Sequence, residues 1–193
     1  MPGTLTRAKM AGFYGKVPAR GDFVRLGLPR DFIDAWDSWL AEVMSASREI
    51  GGDAWLPAFL EAPVWRFALP PGLCGASAMI GLMLPSVDKA GRYFPLTFAA
   101  AHDSPGVPSG SAADAWLNSC EDAGRAALDQ DLEPDAIKAM LSLPDLPSSD
   151  TPAGETEWWT EGSVRLGPAR WTLPGMPDTA GFLEMIGIAT QTG

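Results

Sequence analysis

Two uncharged, strongly apolar segments dominate the pattern of hydrophobic and polar positions along the chain. The first covers residues 78–84, and the second covers residues 94–101 and is rich in the aromatic and β-branched types that favour strands. Because neither segment alternates strictly between apolar and polar residues, both are predicted to be strands buried on both faces. The loop between them, residues 85–93, carries two cations and one carboxylate on a backbone bent by a proline and a glycine. A charged loop held by rigid strands is a common place for function.

Helical periodicity predicts four longer helices. The first begins after a proline, has an acidic residue in its first turn, and repeats apolar residues at i, i+1, i+4, i+8, i+11 and i+12 along one face. A Gly-Gly pair at residues 51–52 ends it. Similar patterns recur in the second half of the chain. The predicted helices cover residues 30–48, 112–128, 134–142 and 178–187, with a shorter helix or turn over 53–61.

Shorter apolar segments predict the remaining strands. One covers residues 64–69 and is stopped by Pro-Pro-Gly, and another includes residues 13–14. Two aromatic segments between residues 158 and 173 predict a closing hairpin. Proline, serine and acidic residues fill residues 143–156, which we expect to form a mobile loop, and a Gly/Pro/Ser linker joins residues 102–111.

These elements together predict one α/β domain over residues 1–193. At 193 residues the chain can bury a substantial core, and its content of 46% hydrophobic and 20% charged residues is typical of a folded globule. We expect three layers of the αβα type, with a central mixed or antiparallel sheet covered by helices on both faces. Residues 12–100 hold most of the motifs, and residues 101–193 form an acidic, helical half with the closing hairpin and the last helix.

The net charge of −10 is unevenly distributed. Residues 1–100 contain 10 Lys and Arg against 9 Asp and Glu, whereas residues 101–193 contain 4 against 15. An acidic second half repels a phosphate backbone, so we expect no nucleic-acid partner. This half forms either an ordinary solvated face or an acidic surface that recruits a basic protein.

Cysteine usage and hydropathy indicate the compartment. Cys74 and Cys120 are the two cysteines, and their spacing matches no metal site, so we expect buried free thiols in a reducing cytoplasm. The first residues lack the apolar stretch of a signal peptide, and no segment approaches the length of a membrane span. We therefore expect a cytoplasmic protein without a membrane span.

Few side chains suit catalysis. His102 is the single histidine, and neither a nucleophile motif nor a zinc-type cluster accompanies it. Convergence of Asp22 and Asp88 from two loops would allow acid–base chemistry, but each has a cation close by in sequence, Arg20 or Lys89, which favours structural ion pairing. We expect neither enzyme activity nor a cofactor.

Three further residues allow two interpretations each. Trp36 and Trp39 either pack in the core or form a stacking platform for a ligand, and their place on the apolar helix face favours the core. Arg66 lies inside a predicted strand among apolar neighbours. It either reaches a solvated face of the sheet or pairs with a buried carboxylate.

Several separated motifs carry a resemblance to a known family. They are GFYGKVPARGDF at 12–23, PRDF at 29–32 followed by WDSWL at 36–40, APVWRF at 62–67 and MLPSVDKAGRYFPLT at 83–97. In this order they resemble the TagF family, accessory proteins of bacterial type VI secretion systems. The resemblance is dense in the first half of the chain and weaker in the second.

The resemblance implies a non-enzymatic regulator. It would repress secretion post-translationally by binding the forkhead-associated scaffold protein of the system, and it would fold as an α/β sheet covered by helices on both sides. A structural or assembly component of the secretion machine is the alternative, and a carboxylate-based hydrolase is a further, weaker one.

Two charged loops, residues 16–22 and 86–92, form the candidate partner-binding site. We expect both at ends of the sheet, with rigid backbones and solvated side chains. If the loops meet, their side chains either contact a partner or pair with one another and only pin the loops. The candidate residues are Lys16, Arg20, Asp22, Ser86, Asp88, Lys89 and Arg92.

Overall fold

An antiparallel sheet of seven strands forms the centre of the structure. The computed structural model describes residues 5–103, 111–147 and 154–190. The strands within these residues are β1 (Leu5–Arg7), β2 (Met10–Gly15), β3 (Val24–Leu26), β4 (Trp65–Leu69), β5 (Ala78–Leu84), β6 (Leu96–His102), β7 (Asp145–Pro147), β8 (Thr156–Thr160) and β9 (Ala169–Leu173).

The strand order of the main sheet is β3-β2-β6-β5-β4-β8-β9, and every neighbouring pair is antiparallel. The two apolar segments of the sequence, β5 and β6, lie side by side near its middle, in register from Ala78 opposite His102 to Leu84 opposite Leu96. All residues of both strands are buried, as expected for strands covered on two faces. Strands β1 and β7 pair separately in a two-stranded ladder.

Helices cover both faces of the sheet. Asp178 caps the last of them, because its carboxylate accepts a hydrogen bond of 2.8 Å from the backbone N–H of Gly181. Pro134 stands at the start of the fourth helix, where a missing N–H costs nothing. The helices are α1 (Arg30–Gly51), α2 (Trp55–Leu60), α3 (Ser111–Asp129), α4 (Pro134–Ala139) and α5 (Thr179–Met185), with a 3-10 turn at Gly52–Ala54 between the first two.

Two hydrophobic cores lie on opposite faces of the sheet. Helices α1, α2 and α5 supply one, and α3 and α4 supply the other together with Leu146 of β7. In the first core the fully buried ring of Trp36 packs 4.5 Å from Phe67 and 6.0 Å from Trp158, between ring centroids. Its indole N–H donates to the Thr97 hydroxyl at 2.9 Å. The prediction of an α/β fold with helices on both faces is confirmed.

Trp36 and Trp39 therefore pack in the core, and Trp39 donates its indole N–H to the carbonyl of Pro177 at 2.7 Å. Arg66 pairs with a carboxylate, as its second interpretation stated, although this carboxylate is partly exposed and not buried. It is buried, donates to Asn118 Oδ1 at 2.6 Å, and lies 3.3 Å from Glu121 Oε2 on α3. The charge of an arginine within an apolar strand is thus compensated by side chains of a neighbouring helix.

The expected loop over residues 143–156 is wrong at both ends. Asp145–Pro147 forms β7, which pairs with Leu5–Arg7, and β8 begins at Thr156. A pairing partner at the other end of the chain leaves no local sequence pattern, which explains the error. The linker before α3 falls on residues 104–110, which lie outside the described residues, as do residues 148–153 of the expected loop.

Both cysteines are buried free thiols, as expected. Burial raises the pKa of the Cys74 thiol to about 11 and that of Cys120 further, so neither is a reactive thiolate near neutral pH. Among the described residues, no helix combines the length and the apolar character needed to cross a bilayer.

Candidate functional site

The two charged loops meet at one end of the sheet. Strand β2 runs antiparallel to β6, with Tyr14 opposite Thr97, so the turn after β2 and the loop before β6 lie at the same end. Besides the Lys16–Asp88 pair described below, three hydrogen bonds join them, one of which runs from the Arg92 guanidinium to the Gly21 carbonyl. The Ser86 hydroxyl donates to the Lys16 carbonyl at 2.6 Å, and the Lys89 backbone N–H donates to the Arg20 carbonyl at 2.9 Å.

Asp88 is the centre of this junction. Its side chain is fully buried, and its carboxylate accepts a bond of 2.9 Å from Lys16 Nζ and one of 2.8 Å from Arg92 Nε. The other carboxylate oxygen accepts from the backbone N–H groups of Ala90 and Arg92, both at 2.9 Å. One aspartate therefore shapes its own loop and binds the neighbouring loop through Lys16, whose side chain is only 7% exposed.

The surroundings of Asp88 act on its pKa in opposite directions. Burial raises the pKa, while hydrogen bonds from Lys16 and from the backbone and side chain of Arg92, with the nearby positive charge, lower it. The hydrogen bonds and charges prevail, so the pKa lies well below its ordinary value. Asp88 is thus an ionised anchor at neutral pH and is poorly suited to receive a proton in catalysis.

The seven candidate residues fall into a buried group and an exposed group. Lys16, Ser86 and Asp88 are buried, so the expectation that these loop side chains stay solvated is wrong for all three. Long-range pairing explains this, because each completes a contact with the other loop. The remaining candidates are exposed, namely Arg20, Asp22, Lys89 and Arg92.

Two residues that the sequence analysis did not select belong to the same surface. Phe23 is 46% exposed, stacks on Tyr14 with ring centroids 5.6 Å apart, and has Lys16 Nζ 5.0 Å from its ring centroid. Glu133, just before α4, accepts a bond of 2.7 Å from Arg20 Nε. Phe23 was visible as the last residue of the first motif, whereas Glu133 carried no local signal. We call the exposed set Arg20, Asp22, Phe23, Lys89 and Arg92 the loop face.

His102 is not brought together with the two loop aspartates that the sequence analysis considered for catalysis. Asp22 is exposed and Asp88 is buried. His102 lies at the opposite end of β6 from the loop, about 20 Å away along the strand. No group of three or more His, Cys, Asp or Glu side chains suited to a metal ion occurs within residues 5–103, 111–147 and 154–190.

His102 is buried, and neither ring nitrogen has a hydrogen-bond partner among the described residues. Burial lowers its pKa from 6.5 to about 4, against a smaller opposing effect of Asp103. As the pH falls, the histidine takes up a proton near pH 6.5 in the unfolded chain but only near pH 4 in the folded protein. The contribution of the neutral histidine to the free energy of unfolding is therefore complete above about pH 6.5 and is lost as the pH falls towards 4.

We expect the free energy of unfolding to fall by about 2 kcal/mol between about pH 7 and pH 5 through His102 alone. Urea denaturation at the two pH values, followed by tryptophan fluorescence, measures the change. In the His102→Leu variant this part of the pH dependence should disappear. An equal fall in both proteins would show that other groups cause it.

Comparison with known proteins identifies the family. The family model for the TagF N-terminal domain, described as type VI secretion system-associated, matches residues 12–143. The chain belongs to the TagF family. The crystal structure of PA0076 from Pseudomonas aeruginosa PAO1 resembles this TagF-family chain with a TM-score of 0.82 and 35% sequence identity, over 91% of this chain and 93% of PA0076. No curated protein sequence matches it.

This TagF-family chain is therefore a type VI secretion-associated protein. The two loops and Glu133 all lie inside the matched residues 12–143. Strands β8 and β9 and helix α5 lie beyond them, although β8 is an interior strand of the sheet.

Proposed function

We propose that this TagF-family chain is a non-enzymatic regulator that restrains type VI secretion post-translationally. It does so by binding the forkhead-associated scaffold protein of the secretion system through the loop face. The observation that carries this proposal is the buried Lys16–Asp88 pair, which fixes two exposed, cationic loops in one position. Family membership supports the link to secretion.

A fixed surface lowers the entropic cost of binding. The contacts of Asp88 with Lys16, Ala90 and Arg92 hold both loop backbones before any partner arrives. Ordering a flexible segment on binding would otherwise oppose association, at about 0.5–1.5 kcal/mol for each long side chain that is immobilised. The loop face is therefore organised in advance for a protein partner.

The chemistry of the loop face favours an acidic partner surface with an apolar contact. Arg20 and Arg92 already donate through Nε, to Glu133 and Asp88 respectively. Their remaining guanidinium N–H groups, together with the Lys89 ammonium, can contact a further carboxylate or phosphate. Phe23 provides an exposed aromatic ring among them. Arginine and aromatic residues are the types that contribute most to protein interfaces.

Deletion of the gene distinguishes a repressor from a structural component. If the protein restrains secretion, its loss should raise the amount of secreted type VI substrate several-fold, at unchanged levels of the substrate inside the cell. Immunoblots of culture supernatant and cell fractions measure both, and a plasmid copy should restore the original level. If secretion disappears instead, the protein is an assembly component.

The loop face can be tested without unfolding the protein. The Lys89→Ala/Arg92→Ala variant should bind the scaffold protein at least about tenfold more weakly, because desolvated interface charges cost about 2–5 kcal/mol when truncated. Asp88 keeps its bonds to Lys16 and two backbone groups, so the free energy of unfolding should change by about 1 kcal/mol or less.

Isothermal titration calorimetry with the purified scaffold protein measures the affinity. Arg30→Ala is the matched control, because Arg30 is an exposed cation away from both loops, with a side chain 89% exposed. Its affinity should equal that of the unmodified protein. Normal binding by the double variant would exclude the loop face as the binding surface.

A further inference from the structure

A groove lies beside the last three residues of β9, the edge strand at the opposite side of the main sheet from β3. Strand β9 is the last strand in the sheet order, and β8 is its sole sheet neighbour within the described residues. The turn after β9 and helix α5 form the other wall. The groove has a volume of about 610 Å³, and its lining includes Trp171, Thr172 and Leu173 of β9 together with Met176, Asp178 and Glu184.

The edge of β9 offers backbone hydrogen bonds. In an antiparallel pair, successive residues direct their N–H and C=O groups alternately towards the neighbouring strand and away from it. Some backbone groups of β9 therefore point outward, and no hydrogen bond joins the edge of β9 to another described backbone segment outside β8. Such an edge is a template for a further strand.

The side chains of β9 are arranged for a strand that docks on one face. Ala169, Trp171 and Leu173 are half-buried and pack against the core beneath α1 and α5, whereas Arg170 and Thr172 are exposed on the opposite face. A strand added to β9 would alternate in the same way. Every second side chain would enter the groove beside α5.

We infer that β9 and α5 form a docking groove for an extended, basic segment of a partner protein. The segment pairs with β9 as an additional strand and places alternate side chains in the groove. Main-chain hydrogen bonds supply affinity, and the groove selects the side chains, as in other cases of strand addition. The strand edge and the helix wall both lie outside the residues that define the family match.

Charge determines the kind of occupant. Two carboxylates, Asp178 and Glu184, line the groove, and no cation does among the described residues. Arg170 of β9 lies on the opposite face of the strand, where its guanidinium pairs with Glu157 at 3.0 Å. A segment with lysine or arginine at alternate positions complements this surface. A second copy of the chain does not, because two molecules of net charge −10 would bring the same carboxylates together.

Two prolines limit the length of the docked segment. Pro168 precedes β9 and Pro174 follows it, and neither has a backbone N–H to offer a new strand. The pairing is therefore confined to the five residues of β9. A short segment fits, whereas an extended sheet between molecules does not form.

Three labelled peptides test this groove. The first alternates valine and lysine over about eight residues, the second alternates valine and glutamate, and the third is the valine–lysine peptide with a methyl group on every backbone nitrogen. Fluorescence polarisation at about 0.15 M salt measures their binding to the full chain. The first should bind at least about tenfold more tightly than the other two. Equal binding of the methylated peptide, which keeps the charge, would overturn the proposal, as would no binding of the first.

A charge reversal locates the binding. Glu184→Lys should weaken binding of the valine–lysine peptide at least about tenfold and strengthen binding of the valine–glutamate peptide. Asp122→Lys makes the same change of charge at an exposed position on α3, on the other face of the sheet, and should leave both affinities unchanged. If both variants weaken binding of the valine–lysine peptide equally, the peptide is attracted to the acidic protein as a whole, and the groove is excluded as its binding site.

Amide chemical shifts of the unmodified protein give an independent answer that does not depend on the folding of a variant. On titration with the valine–lysine peptide, the changes should concentrate in residues 169–184. Changes concentrated in another part of the chain would overturn the assignment.

Discussion

Replacing Asp88 with alanine is expected to lower the free energy of unfolding by about 3–5 kcal/mol. The substitution leaves the Lys16 ammonium, 7% exposed, without its counter-charge. It also removes the acceptor of the Ala90 and Arg92 backbone N–H groups. Urea denaturation followed by tryptophan fluorescence measures the loss. Asp22→Ala, at an exposed position in the neighbouring loop, should change stability by no more than about 0.5 kcal/mol.

Two further variants separate the charge from the hydrogen bonds. Asp88→Asn keeps an acceptor for the backbone N–H groups but leaves Lys16 unpaired, so it should be less harmful than Asp88→Ala. Adding Lys16→Met removes the buried charge, and the double variant should be more stable than Asp88→Asn alone. A loss below about 1 kcal/mol for Asp88→Ala would mean that the pair is solvated and does not anchor the loops.

Gly81→Ala is expected to destabilise the protein by about 3 kcal/mol or more, at the upper end of what overpacking costs. Gly81 lies in β5, and a Cβ added there would meet the Phe98 carbonyl oxygen at 2.1 Å and the Phe67 ring at 2.7 Å. The carbonyl belongs to the adjacent strand β6, whose backbone cannot withdraw without breaking its pairing.

Thermal and urea denaturation of the Gly81 variant measure the effect. Gly167→Ala is the control, because a Cβ at that position has open space around it. Its stability should change by no more than about 0.5 kcal/mol. Equal stability of the Gly81 variant and the unmodified protein would show that β5 and β6 can separate locally to admit a side chain.

Local sequence patterns predicted most of the fold, because the elements with the strongest periodicity are also the most buried. The apolar segments became β5 and β6, and the periodic face beginning near Phe32 became α1. The pairing of β1 with β7 could not be foreseen. Both strands are three residues long, and nothing in either reveals a partner at the other end of the chain.

The sequence predicted which loops form the candidate site but not how their side chains are arranged. The two motifs identified the right loops, since charged residues between glycine and proline turns are conspicuous in sequence. Which cation would be buried could not be read from either loop, because Lys16 and Asp88 are 72 residues apart and each is polar in its own context. Glu133 was missed for the same reason, since it meets Arg20 only through the packing of α4 beside β3.

The interior position of β8 has a consequence for protein synthesis. This strand brings Trp158 against Trp36 and Phe67, and it pairs with β4, yet the ribosome delivers it after α3 and α4. Until β8 emerges, the nascent chain carries an unpaired β4 edge beside an incompletely covered aromatic core. Exposed edges and apolar surface of this kind are what chaperones bind and what aggregates nucleate on. Co-translational aggregation should therefore be greatest in chains arrested between the end of α4 and the start of β8.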